Sequence, residues 1–274
     1  MKHQKVVLVT GASSGMGKEF AKALLKEDYV VYTAARRMDQ MEDLKNLGAL
    51  PIKMDITQDQ DVKNAVNLIE KEHGGIDILI NNAGFGLYGA VEDIKLSEAR
   101  YQFEVNLFGA ANLTQLILPS MRKKKSGKII NISSMGGKVY TPLGSWYHAT
   151  KHALEGWSDC LRLEVAQFGI DVVIIEPGAI KTEFGEVFMQ PMLERSGKTA
   201  YSFMAHAVAS ISQKSYEKGD ASEPQVITKL LIKAVKARRP KTRYVAGKYA
   251  KPMIFIRKWF GDRVYDKIVL SMVK

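Results

Sequence analysis

The amino-acid sequence predicts an α/β protein built on a doubly wound parallel sheet, and three observations carry that expectation. Short apolar runs alternate with longer helix-period stretches, a glycine-rich turn follows the first apolar run, and the size and composition suit one core. The apolar runs at residues 5–10, 29–34, 50–54, 77–80, 127–133 and 171–176 read as strands, with helical stretches between them. Strands that alternate with helices in this way lie parallel, with helices covering both faces. A chain of 274 residues, 46% hydrophobic and 25% charged, can bury one sizeable core, so residues 1–274 are expected to form a single domain. Repeats and low-complexity tracts are absent.

The first strand ends at Thr10 and runs into Gly11, Ser13, Ser14, Gly15, Met16 and Gly17, ahead of a helical stretch over residues 18–28. Strand, glycine turn and helix together form a phosphate cradle. Gly11 permits the tight turn, Gly15 lets the backbone approach a pyrophosphate, and Gly17 lets helix pack on strand, with the phosphates at the positive end of the helix. The spacing is G-x-x-x-G-x-G, one residue different from the commonest dinucleotide fingerprint, and a glycine triad by itself is a weak signal. After the second strand stand Ala35, Arg36 and Arg37, where an NAD-binding protein would place an acid on the ribose 2′-hydroxyl. Two guanidiniums suit a 2′-phosphate, which favours NADP(H) over NAD(H); the other reading is a pair of solvated arginines at a strand end.

The strand over 127–133 leads to Ser134, thirteen residues ahead of Tyr147, and Lys151 follows four residues later. An i, i+4 pair lies on one helix face, so the phenol and the ammonium share a surface. Free tyrosine has a pKa of about 10, and a fixed positive charge favours the phenolate, each tenfold gain in acidity being worth roughly 1.4 kcal/mol. Such a phenol can exchange a proton with a carbonyl or alcohol oxygen, and the Ser134 hydroxyl can hold that oxygen. Taken alone, Tyr147 and Lys151 read equally as a helix surface pair. In an open parallel sheet, ligands lie at the carboxyl ends of the strands, where Gly11, Asn81, Ser134 and Pro177 all fall.

The segments TGASSGMG at 10–17, NNAG at 81–84, Asn106, Ser134, YHATK at 147–151 and PG at 177–178 resemble the short-chain dehydrogenase/reductase family, over about residues 5–182. The resemblance implies a Rossmann-type doubly wound sheet with helices on both faces, here with a C-terminal helical extension. It implies a tetrad of Asn106, Ser134, Tyr147 and Lys151: Tyr147 as acid/base, Ser134 on the substrate oxygen, Lys151 lowering the phenol pKa and binding the nicotinamide ribose, and Asn106 holding a relay water. It also implies cofactor contacts from Asp55 and Ile56 at the adenine, from Asn82, Ala83 and Gly84, and from Pro177, Gly178, Ile180 and Thr182 near the carboxamide. Turn or cap readings stay open for these residues, and Asp55 could cap a helix beginning near Thr57.

The activity this resemblance implies is an NADP(H)-dependent oxidoreductase moving hydride between nicotinamide and a carbonyl or secondary alcohol. The alternative is a non-catalytic NADP(H)-binding sensor or scaffold, which is expected to lose the tyrosine or the lysine, whereas this chain keeps both. Trp146 and His148 depart from the family by flanking Tyr147 where smaller residues are common. His148 and His152 have a spacing that metal sites use, but no carboxylate or cysteine cluster supports one, and no metal is expected.

Residues 183–215 carry Phe184, Phe188, Met189, Met192 and Tyr201 around Pro191 and Gly197, and read as a mobile apolar lid. Met and Phe fill irregular gaps around bulky ligands, so a largely hydrocarbon substrate is expected: steroid-, retinoid- or lipid-like. NNAGFGLYG and RYVAGKYA resemble the hydroxysteroid and retinol dehydrogenase branch. Residues 223–274 form the expected C-terminal extension. Of the formal net charge of +11, residues 229–274 contribute fourteen Lys or Arg against Asp262 and Asp266. This basic, aromatic tail reads either as a helix whose apolar face closes over the substrate pocket or as a peripheral membrane contact. It matches no nucleic-acid-reading motif. The single cysteine, Cys160, and the early first strand point to a cytoplasmic address. Asn112 and Asn131 match the glycosylation pattern but fall in expected core elements. The resemblance further implies a homodimer or homotetramer through helices near 97–125 and 146–168.

Overall fold

The computed structural model describes residues 4–217 and 221–273; Lys274, counted in the charge of the tail, lies outside them. Its elements run β1 (Val6–Thr10), α1 (Gly15–Leu25), β2 (Val30–Ala35), α2 (Glu42–Asn46), β3 (Leu50–Lys53), α3 (Asp59–His73), β4 (Ile78–Asn81), α4 (Leu96–Phe103), α5 (Gly109–Lys124), β5 (Gly127–Ile132), α6 (Ser145–Val165), β6 (Ile170–Pro177), α7 (Phe184–Ser196), α8 (Ser202–Glu217), α9 (Gln225–Lys236), β7 (Arg243–Ala246) and α10 (Ala250–Met272).

The strands form one sheet in the order β3-β2-β1-β4-β5-β6-β7, every pair parallel. A parallel sheet covered on both faces needs strands apolar on both sides, and all five residues of β1 are buried. Val7 and Val9 face a layer made by Phe20 and Leu24 of α1 and by Ile227 and Leu231 of α9. Val6 and Leu8, one residue out of phase, face Val66 and Ile69 of α3, Leu113 and Ile117 of α5, and Leu161 of α6. The chain winds outward from β1 to β3 and then restarts at β4 on the other side, which opens a crevice at the carboxyl ends of β1 and β4.

The sequence predicts six strands, and the described residues form seven. The additional strand, β7, is only four residues long and lies in a basic stretch without apolar alternation, so no local pattern announces it. Its attachment is non-local: Arg243 pairs with Glu155 at 3.0 Å, Asp159 at 2.6 Å and Glu176 at 3.1 Å. The amphipathic α9 packs Ile227, Leu231, Ala234 and Val235 on the sheet. At its C-terminal end the buried Lys128 ammonium donates to the carbonyls of Ala234, Val235 and Ala237, each at 2.8 Å, and burial draws that ammonium below the usual lysine range.

The expected lid is a pair of helices, α7 and α8. Pro191 lies inside α7 and Gly197 ends it. Met192 and Ala205 pack with Ala90 and Leu143. In the tail, α10 is interrupted at Gly261 (φ 72°), and Tyr265 and Val269 bury against Val139. The Tyr265 hydroxyl donates to the Tyr140 carbonyl at 3.0 Å, and the Tyr140 hydroxyl donates to Asp266 at 2.8 Å. The covered face of α10 thus rests on Met135, Val139 and Tyr140, the segment leading away from Ser134.

Candidate active site

At the start of the crevice, Gly11 takes φ +67°, and a Cβ there would stand 2.8 Å from the Ala83 backbone. A Cβ on Gly17 would stand 2.4 Å from the Gly11 carbonyl, so neither position admits a side chain without displacing backbone. The end of β4 is laced to this turn. Asn82 and Ala83 both donate backbone N–H groups to Thr10 Oγ1 at 3.0 Å, and Asn82 Nδ2 donates to the Thr10 carbonyl at 2.9 Å. Ser14 precedes α1 in an extended conformation and does not cap it with its side chain, which leaves the first-turn N–H groups without a cap from that hydroxyl. Thr182 comes across from the end of β6, its Cβ 3.7 Å from where a Gly15 side chain would begin. The turn has the bare backbone and the positive helix end that a pyrophosphate requires.

The two arginines beyond β2 part company. Arg37 donates to Ser13 Oγ at 3.3 Å and Ser14 Oγ at 3.4 Å, above the glycine turn, whereas Arg36 donates to the Tyr101 hydroxyl of α4 at 3.0 Å. Asp55 accepts from the Thr57 amide at 3.0 Å and the Thr57 hydroxyl at 2.8 Å, a turn that leads into α3. The helix itself begins at Asp59, two residues beyond the expected position. Ile56 is buried against Gly109.

Asn106 sits in a single π-helical turn, Glu104–Phe108, between α4 and α5. Its Oδ1 accepts from the Phe85 amide at 3.0 Å, while Nδ2 donates to the Phe85 carbonyl at 2.9 Å and Thr150 Oγ1 at 3.1 Å. One amide therefore ties the loop after Gly84 to the residue preceding Lys151. Ser134 opens a 3-10 turn, Met135–Gly137, and its Oγ accepts from the Gly136 amide at 3.0 Å. Tyr147 and Lys151 are both buried on α6. Lys151 Nζ donates to the Ile132 carbonyl at 2.9 Å, two residues before Ser134, and lies 6.0 Å from the Tyr147 ring centroid. Burial pulls the Lys151 ammonium down to about 8, opposed by the Glu155 carboxylate one turn along α6.

Beyond Pro177, Gly178 leaves no room for a side chain, since a Cβ would stand 2.2 Å from the Lys248 carbonyl. Ala179 bridges to Lys248 and Ile180 to Ser222, so the C-terminal extension shapes the turn that delivers Thr182. Asn131 is fully buried and donates to Ser158 Oγ at 2.8 Å, in keeping with the core position read from the sequence.

Two groups take roles that the sequence reading does not assign. His148 Nε2 accepts from the Thr141 amide at 3.0 Å and its Nδ1 meets the Gly136 carbonyl at 3.0 Å, so the ring clasps the segment between Ser134 and Tyr147. Its signals in the sequence are its position next to Tyr147 and its spacing to His152, and neither points to this clasp. Among the described residues no group of three metal-binding side chains occurs. Tyr88 is the other: its ring lies 5.7 Å from that of Tyr147 and 4.4 Å from that of Phe188, and Phe184 lies 5.5 Å from Tyr147. These rings make an aromatic wall beside the phenol. Tyr88 falls within NNAGFGLYG, but nothing local distinguishes it from a core aromatic.

Comparison with known proteins agrees with this arrangement. The short chain dehydrogenase family model matches residues 5–191. The uncharacterized oxidoreductase YusZ of Bacillus subtilis is 33% identical over 97% of this chain and 98% of its own length. A 3-ketodihydrosphingosine reductase of Bacteroides thetaiotaomicron is 41% identical over 66% of this chain and 65% of its own length. Among solved structures, a short-chain dehydrogenase from Streptomyces avermitilis superposes with a TM-score of 0.80 at 31% identity, covering 97% of this chain and 95% of that one. The chain belongs to the short-chain dehydrogenase/reductase family, oxidoreductases that use nicotinamide cofactors.

Proposed function

We propose that this protein is an NADP(H)-dependent oxidoreductase acting on a carbonyl or secondary alcohol of an apolar substrate. The observation that carries the proposal is the buried Tyr147–Lys151 face of α6, packed against the Ser134 turn at the same sheet edge as the glycine turn. In this reading residues 11–17 hold the pyrophosphate and Arg37, already over Ser13 and Ser14, takes the 2′-phosphate with Arg36 beside it. Asp55, Ile56, Asn82, Ala83, Gly84, Pro177, Gly178, Ile180 and Thr182 line the remainder of the cofactor slot. The bound nicotinamide supplies or accepts the hydride.

The chain's own residues manage the proton. Ser134 Oγ orients the substrate oxygen, Tyr147 gives it a proton in reduction or removes one in oxidation, and the Lys151 charge favours the phenolate. Asn106 holds the Phe85 loop and α6 in register. The wall of Tyr88, Phe184 and Phe188 excludes water and favours a hydrocarbon substrate, such as a steroid, retinoid or long-chain lipid ketone. The identity to a 3-ketodihydrosphingosine reductase supports the last class. Exposed Tyr101, Phe108 and Leu163, on or beside α4, α5 and α6, support assembly as a homodimer or homotetramer.

Tyr147→Phe should lower kcat by about a thousandfold or more while leaving NADPH affinity within about twofold, measured by absorbance turnover and fluorescence titration. Undiminished turnover would remove Tyr147 from the mechanism. Arg37→Ala should weaken NADPH at least tenfold, or about 1.4 kcal/mol, with little change for NADH. Equal losses for both cofactors would reject the phosphate contact.

A further inference from the structure

We propose that the outer face of α10 docks on an anionic phospholipid surface. Phe255, Trp259 and Phe260 are 55%, 67% and 59% exposed, and the Phe255 ring lies 6.2 Å from each of the other two, so they form one contiguous apolar patch. On the segment of α10 before Gly261 it is Met253, Ile254 and Ile256 that pack toward Val139, so packing against the sheet domain does not account for these rings.

The charges around the patch are predominantly positive. Lys251, Phe255, Lys258 and Trp259 fall at i, i+4, i+7 and i+8 and share a face, with the Lys258 ammonium 5.6 Å from the Trp259 ring centroid. Lys251, Lys258, Arg263 and Lys267 are exposed. The two acids of the helix are each paired, Asp262, though 63% exposed, with Arg257 of α10 itself and Asp266 with the Tyr140 hydroxyl. Aromatic rings flanked by lysines suit the level of lipid headgroups, where rings enter the acyl boundary and ammonium groups meet phosphates. A second copy of this face would oppose like charges. Among the described residues no helix is long and apolar enough to cross a membrane, so the contact is peripheral.

This docking rests on the outer face of α10 alone. Its consequence for substrate supply rests on the proposed apolar substrate: α10 packs on Met135–Tyr140, next to Ser134, so docking would bring the site to where lipid-soluble ketones reside.

Co-sedimentation of the full chain with vesicles tests it without any measure of turnover. Phosphatidylcholine vesicles with about 30% phosphatidylglycerol should bind at least tenfold more protein than phosphatidylcholine alone at about 0.1 M salt, and binding should fall at about 0.5 M. Phe255→Ser with Trp259→Ser should lose about tenfold of that binding, as should Lys251→Glu with Lys258→Glu, while NADPH affinity and thermal midpoint stay unchanged as controls for folding. Failure of the wild type to bind, or equal binding by the variants, would overturn the docking. So would a smaller assembly of the serine variant in light scattering, which would assign the face to a second copy, or oligonucleotide binding stronger than vesicle binding. Each result leaves the oxidoreductase reading to its own kinetic test.

Discussion

His148 Nε2 accepts the Thr141 amide hydrogen, so the ring proton resides on Nδ1 and is donated to the Gly136 carbonyl. A charged ring would turn an N–H against the Thr141 N–H, and burial lowers its pKa from 6.5 to about 4. As pH falls, the unfolded chain takes up this proton first. The stability is therefore present in full above about pH 6.5 and is lost progressively as pH drops through about 4, a total of about 3 kcal/mol. Urea unfolding across that window should follow this decline in the wild type, and His148→Asn should lack this component; an unchanged pH dependence in the variant would assign the decline to other groups. Ser134, Tyr147 and Lys151 were legible because an i, i+4 step and a strand end are local facts. The clasp of His148 was not, because its partners, the Thr141 amide and hydroxyl and the Gly136 carbonyl, are brought to the ring by the fold of residues 136–141.

Arg243 decides how β7 joins the sheet. Glu155 and Glu176 are 3% and 2% exposed, and burial together with its Glu155 neighbour raises the Glu176 carboxyl to about 7. Arg243→Leu would leave two buried carboxyls without their shared guanidinium, with Lys138 pairing with Glu155 at 2.9 Å. The expected cost is about 3–5 kcal/mol in urea unfolding, since an orphaned buried charge loses more than the pair contributes. A loss below about 1 kcal/mol would show that backbone pairing alone holds β7. The first six strands were readable as apolar runs bounded by turn residues. β7 was hidden because its determinants lie far away on α6 and β6. The π-helical turn that carries Asn106 likewise has no sequence signature, and the placement of α10 on Met135–Tyr140 follows from Tyr265 and Val269 meeting Val139, a pairing that helical periodicity does not reveal.

At the scale of the molecule, the two apolar layers draw on distant parts of the chain: α9 completes the layer of α1, and α3, α5 and α6 make the other. We propose that both layers and the extension unfold as one domain. Leu231→Ala and Ile69→Ala, both at fully buried positions, should each cost about 2–5 kcal/mol and shift a single transition, with fluorescence and circular dichroism coincident. Two separable transitions would divide the chain into independent units. The doubly wound class was legible from alternation and the glycine turn alone, whereas the share of the core supplied by the extension was not, since its charge masks the apolar stripe of α9. The lock between Arg243 and α6 also orders events during synthesis. A nascent chain emerging from the ribosome as far as Thr182 already holds the tyrosine and lysine, but its arginine lies about 60 residues behind, roughly 3–12 s of translation. Until that guanidinium arrives, Glu155 and Glu176 lack the partner they share, so the charge pairing beside the site is completed only after Arg243 has been made.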